Sequence, residues 1–167
     1  MIIRSRCGLP LMGWADVHAD GTFTPLPVEL PGAVWCHFLN VREAVGDPFN
    51  EVPPIVDVVA WEDCRPWDWW LLHRAAAITG EWEIDNAWRD QRPARMLATP
   101  AEFLRSHGAG FCVLDWRKAG DLLELIDIVE VTYSNPWLAN KLVQARIARD
   151  FPHSGALPPP EKFNVAA

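Results

Sequence analysis

Prolines and glycines recur so often across residues 1–62 that no stretch sustains the 3.6-residue period of an amphipathic helix, and the apolar residues between them are largely β-branched or aromatic. Such a half can fold only as short strands joined by turns. The expected strands are 2–7, 11–17, a short piece at 22–26, 33–41 and 55–61. Asp20-Gly21 has the signature of a tight turn and predicts a hairpin over 11–26. The prolines between Gly46 and Pro54 mark a loop, because proline cannot donate to a central ladder.

The pattern changes after Cys64. Pro66 suits a first helical position, Gly80 suits a stop, and Trp67, Trp70, Leu71, Arg74 and Ile78 fall at helical spacing, so a helix is expected over 64–80. Trp69 and Leu72 lie off that stripe. A helix apolar on more than one side must be covered on more than one side. Residues 81–98 are ambiguous, with a short helix near 85–91.

The last third carries the clearest punctuation. Thr99-Pro100-Ala101-Glu102 joins an N-cap, a first-turn proline and a capping-box glutamate, which predicts a helix over 100–106 ended by Gly108. A strand at 110–116, a helix at 117–126, a strand at 128–133 and a helix opened by Asn135-Pro136 and ending near Asp150 complete a β-α-β-α unit. Its two strands are expected to be adjacent and parallel, with a right-handed crossover. The fold class expected is α+β, with a β-rich N-terminal half and this C-terminal unit in one domain. Residues from about 152 to 167, with three consecutive prolines at 158–160, read as an extended tail.

Size and charge narrow the function classes. A chain of 167 residues buries roughly 70% of its unfolded surface and needs no second domain. Its formal charge of −7 repels phosphate, so nucleic-acid binding is not expected and a basic partner is easier to accommodate, although solubility alone explains such a charge. Cys7, Cys36, Cys64 and Cys112 form no C-x-x-C pair and read as reduced, mostly buried thiols. No continuous apolar signal segment and no membrane span are evident, which points to the cytoplasm.

Candidate chemistry is sparse, and no cofactor is expected. In the β-α-β-α reading the carboxyl ends of both strands open on one edge, placing Asp115, Trp116, Tyr133, Ser134 and Asn135 where open α/β sheets bind ligands. Helix capping alone also accounts for Asp115 and Asn135. Asp16, His18 and Asp20 alternate and would share a strand face, but Asp20 has a role in the turn and no closely spaced ligand pairs exist, so no metal site is expected.

Aromatic composition is the most unusual feature. Ten tryptophans stand against one tyrosine, and six of them fall between Trp61 and Trp88. Only three of the fifteen basic residues are lysines, namely Lys118, Lys141 and Lys162. Trp and Arg dominate the energetic centres of protein interfaces. Core packing and genome composition are the rival explanations. The expected role is a non-enzymatic interaction module, such as an assembly subunit, inhibitor or immunity-type binder. It would dock on another protein or on itself through Trp67, Trp69, Trp70, Arg74, Trp82 and Trp88. The alternative is a small α/β enzyme or ligand binder working at the Asp115, Tyr133, Ser134 and Asn135 edge.

Overall fold

The computed structural model describes residues 11–42, 53–119 and 129–131, the last as backbone only. Strands β1 (Leu11–Val17) and β2 (Phe23–Leu26) form the expected hairpin. In its turn, Asp20 Oδ1 accepts from Thr22 N at 2.9 Å and from Thr22 Oγ1 at 2.7 Å. Strands β3 (Val34–Arg42), β4 (Ile55–Glu62) and β5 (Arg65–Leu71) extend the hairpin into a five-stranded antiparallel sheet of order β2-β1-β3-β4-β5. The two sheet edges then meet. Thr22 bridges Leu71, and Leu71 N donates to Gly21 O at 3.0 Å, so the sheet curls into a small barrel.

Alternation along each strand separates the inside of that barrel from its outside. Ala15, Phe23, Cys36 and Ala60 are buried within, flanked by Val17, Val34, Phe38, Val58 and Trp70, so all five strands contribute to one interior. A five-stranded barrel has little room. At Gly13 even a Cβ would approach Phe38 Cε2 to 3.0 Å, which explains the small residues on this face.

The helix expected over 64–80 is not formed: its first half is strand β5, and the rest is the connection to the second sheet. Periodicity misled because a strand satisfies these tryptophans better than a helix does. Trp70 points into the barrel and Trp69 packs outside it, as neighbours on a strand must. Pro66 is tolerated because β5 is an edge strand with an irregular register next to the Glu62–Arg65 pair.

Beyond the barrel come β6 (Ile78–Thr79), α1 (Trp82–Arg89), β7 (Ala94–Leu97), α2 (Pro100–Arg105), β8 (Phe111–Val113) and β9 (Val129–Val131). They form a second sheet of order β6-β8-β7-β9. The expected parallel direction of β8 and β9 holds, but the strands are not adjacent, since each pairs with β7 between them. Ala94 to Leu97 is too short a run to declare itself by periodicity. Helix α2 has its threonine cap, with Thr99 Oγ1 accepting from Glu102 N at 3.1 Å, while Glu102 Oε2 accepts from Ala98 N, one residue before the cap. Residues 117–119, where the helix expected at 117–126 would begin, form a turn, and the rest of that helix, the strand expected at 2–7, the helix expected after Asn135 and the tail lie outside the described residues.

The architecture is thus α+β with a β-rich N-terminal half. One face of the second sheet packs Met96, Phe111 and Val113 against Ile84 and Ala87 of α1. Its other face sets Leu97, Cys112 and Leu114, with Ala101 of α2, against Leu39, Val59, Trp61 and Leu71 on the outside of the barrel. The joint of this assembly is Asp57, the third residue of β4 and only 1% exposed. Its Oδ1 accepts from Val58 N (2.8 Å) and His73 N (3.0 Å), and its Oδ2 from Ala75 N (2.7 Å) and Ala76 N (3.1 Å). Those amides belong mainly to the segment joining β5 to β6, so one carboxylate fixes the second sheet to the barrel. Among the described residues, no helix is long and apolar enough to cross a membrane.

Candidate functional site

Two surfaces collect the residues with functional chemistry. The first is an open cleft of about 350 Å³ where the β1–β2 turn, the end of β5 and residues 114–117 converge. Asp115 lines it, as does Arg74. Asp115 Oδ1 accepts from Arg117 N at 3.0 Å, which is capping geometry, and its Oδ2 lies 3.5 Å from Arg74 Nη2. Arg74 Nη1 donates to Asp20 O at 3.0 Å, and Lys118 Nζ donates to Arg74 O. Trp69 Nε1 donates to Leu114 O at 3.0 Å. The Arg74 backbone is left-handed, with φ of 52°, a conformation that costs a side-chain-bearing residue about 1 kcal/mol. The surrounding bonds hold it there.

The charges in this cleft are largely committed to structure. Asp115 caps a turn, and its pairing with Arg74 joins the two sheets. The carboxyl of Asp20, in the turn that forms one wall, is held below the usual range first by the Thr22 hydroxyl and then by the Thr22 amide. Ser, Thr, Cys and His are absent from the described lining residues, so the cleft supplies no side-chain nucleophile of those types. Its chemistry is that of a guanidinium, a carboxylate and indoles, suited to holding a small polar group.

The second surface is the part of the barrel exterior that the second sheet leaves uncovered. Because Ala15 and Cys36 point inward, Met12, Trp14, Asp16, Trp35 and His37 point outward. Cross-strand pairing aligns them: Leu26 opposes Trp14, Trp14 opposes Trp35, Met12 opposes His37, His37 opposes Trp61, and Trp61 opposes Trp69. Trp14 and Trp35 meet edge to face with centroids 5.0 Å apart, and His37 stacks on Trp61 at 5.5 Å. Met12 is 52% exposed and Trp35 46%. The result is an aromatic strip across four strands, exposed over β1 and β3 and covered by the second sheet at Trp61, which is only 2% exposed.

The six residues singled out in the Trp/Arg-rich segment do not form one surface. Trp70 faces the barrel interior, and Trp69 and Arg74 line the cleft. Trp67 is 63% exposed in the irregular part of β5. Trp82 and Trp88 are exposed on α1, on the far side of the second sheet. Of the strand-end edge, Asp115 lines the cleft, whereas Tyr133, Ser134 and Asn135 lie outside the described residues.

Trp14 and Trp35 escaped the sequence reading because they are 21 positions apart and meet only through β1–β3 pairing. The signal was there: at 12–15 and 35–36 large residues alternate with glycine, alanine or cysteine, as they do when one strand face lines a narrow barrel.

Asp16, His18 and Asp20 do not cooperate. His18 Nε2 pairs with Thr24 Oγ1 at 3.1 Å, while Asp20 is engaged in its turn. No cluster of three metal-ligating side chains exists among the described residues. Cys36 and Cys112 are buried free thiols, as expected, whereas Cys64 departs from that expectation and is exposed in the β4–β5 turn; a two-residue turn has no core to enter. Cys7 is outside the described residues. No protein-family model, curated protein or solved structure matches this chain.

Proposed function

We propose that the chain is a non-enzymatic binding module that docks a protein partner on the outer face of its barrel. The observation that carries this reading is Trp35, nearly half exposed beside Trp14 in an aromatic strip that a soluble chain would gain by covering. Half an indole left in water forgoes on the order of 1 kcal/mol. Tryptophans so placed are the residues that anchor interfaces. Trp67, Trp82 and Trp88 add exposed aromatic surface elsewhere and lie outside the docking face in this reading. The free thiols of Cys36, Cys64 and Cys112 support a reducing compartment such as the cytoplasm.

Affinity purification of the tagged full chain from its native host tests the proposal, with wild type, Trp35→Ala and Trp88→Ala compared by quantitative mass spectrometry. A partner retained by Trp88→Ala and lost with Trp35→Ala is expected. If no protein depends on Trp35 while the variant melts like wild type, the reading fails.

A second reading has its own support, because Asp115 and Arg74 converge on the cleft beside Trp69 and Trp116. It is a site for a small polar ligand. Arg117→Glu, at an exposed position on the cleft rim, should then abolish ligand-induced quenching of tryptophan fluorescence without lowering stability.

A further inference from the structure

We propose that the occupant of the aromatic strip is a basic peptide segment, with an arginine or lysine side chain seated against Trp35 between carboxylates; this deepens the docking reading and rests on it. The outer face is acidic as well as aromatic. Asp16 lies two residues from Trp14 on the same side of β1, and Asp63, with a side chain 90% exposed, lies 3.6 Å from His37 Nε2.

The described cations of the barrel do little to offset it. Arg42 Nη1 donates to Pro53 O at 2.6 Å, and Arg65 pairs with Glu62 at 3.9 Å. Other exposed cations among the described residues lie off the barrel's outer face, with Arg117 and Lys118 at the cleft, Arg89 on α1, Arg95 on β7 and Arg105 on α2.

This arrangement discriminates among partners. An acidic segment is repelled by Asp16 and Asp63. A purely apolar one would strip water from those carboxylates without replacing their hydrogen bonds. A guanidinium or ammonium group satisfies both features together, since its charge is attracted to the face of an indole and its N–H groups bond carboxylates.

The test is a panning of random peptides, displayed on phage, against the full-length wild-type chain and against Trp35→Ala in parallel. Enriched sequences are synthesised and titrated by fluorescence. Peptides carrying two or more Arg or Lys are expected, binding about tenfold more weakly to Trp35→Ala, as loss of a desolvated cation–π contact implies. An Asp16→Asn/Asp63→Asn double variant, altered only at exposed positions, should bind several-fold more weakly at low salt. That difference should shrink near 0.5 M salt, where exposed charges are screened. Uncharged or acidic peptides that still require Trp35 overturn the inference and leave the docking surface standing. Basic peptides that bind the double variant as tightly as wild type also overturn it. If no enrichment depends on Trp35, both the inference and the docking reading fall.

Discussion

Replacing Asp57 by asparagine should do more damage than any other single-atom change among the described residues. The carboxylate accepts four backbone N–H groups, two on each oxygen, at 2.7–3.1 Å in an environment closed to water. An amide keeps one acceptor oxygen and turns the other into a donor facing two donors. Two buried N–H groups are thereby orphaned at about 1–3 kcal/mol each, and the two surviving bonds lose their charge assistance. Relief from burying a charge returns part of this. The net cost is about 3–5 kcal/mol, a large share of the 5–15 kcal/mol that holds a domain together. For a chain of this size that corresponds to roughly 10–15 °C in melting temperature. Differential scanning calorimetry measures the shift. Amide hydrogen exchange should localise it, with Ala75 and Ala76 losing protection while Trp14 and Trp35, in the β1–β3 ladder, stay protected until global unfolding. A melting temperature within about 3 °C of wild type, or unchanged exchange at Ala75 and Ala76, refutes the assignment of Asp57 as the joint between the two sheets.

Three further outcomes are expected. Glu83 is held by Arg92 through bonds of 2.7 and 3.0 Å and accepts from Arg95 N, and the Arg92 bonds are the main cause that keeps its carboxyl below the usual range despite burial. Its contribution is therefore present above pH ~4.3 and lost as pH falls through the lower folded value. Glu83→Gln should cost about 1–2 kcal/mol at pH 7, the partial exposure of Arg92 limiting the effect, and nothing at pH 2, as read from urea midpoints. Burial pushes the Cys36 thiol up to about 11, with Glu62 adding to it, and pushes Cys112 up as well, whereas Cys64 is exposed. Maleimide followed by peptide mapping should thus label Cys64 in the native chain and reach Cys36 and Cys112 only in denaturant. At Gly80, φ is +78° and a Cβ would fall 2.4 Å from Gly110 O and 2.5 Å from Phe103 Cε2. Gly80→Ala should cost about 2–4 kcal/mol by chemical denaturation, and a cost below 1 kcal/mol would contradict this packing.

Local signals in the sequence translated well where one short segment carries the whole instruction. Asp20-Gly21 makes its hairpin turn because Asp20 bonds Thr22 within the same four residues, and Thr99 caps α2 because its partner, Glu102, is three positions away. What failed depended on partners distant in the chain. Strand β7 is four residues long and exists because β8 and β9 flank it, so its own side chains could not announce it. Barrel closure rests on Gly21 and Thr22 meeting Leu71, about fifty residues later, a contact that no periodicity encodes.

The tryptophans divide along the same line. On a helix, residues 67 and 69 diverge by about 200°, and that conflict read as a need for an outside partner. On strand β5 the conflict disappears: Trp69 reaches Leu114 O across the sheet interface, Trp70 fills the barrel, and the local crowding of tryptophan between Trp61 and Trp70 is accounted for largely by architecture. Trp14 and Trp35 have no such explanation. They stand apart in sequence, on the outward side of strands whose inward side is Gly13, Ala15 and Cys36, and each could be a smaller residue without opening a cavity inside the barrel. Pairing of β1 with β3 brings them together at 5.0 Å with Trp35 still half exposed. Trp61, Trp69 and Trp70 therefore report packing in this protein, while convergence of tryptophans from separate strands is what supports a docking surface.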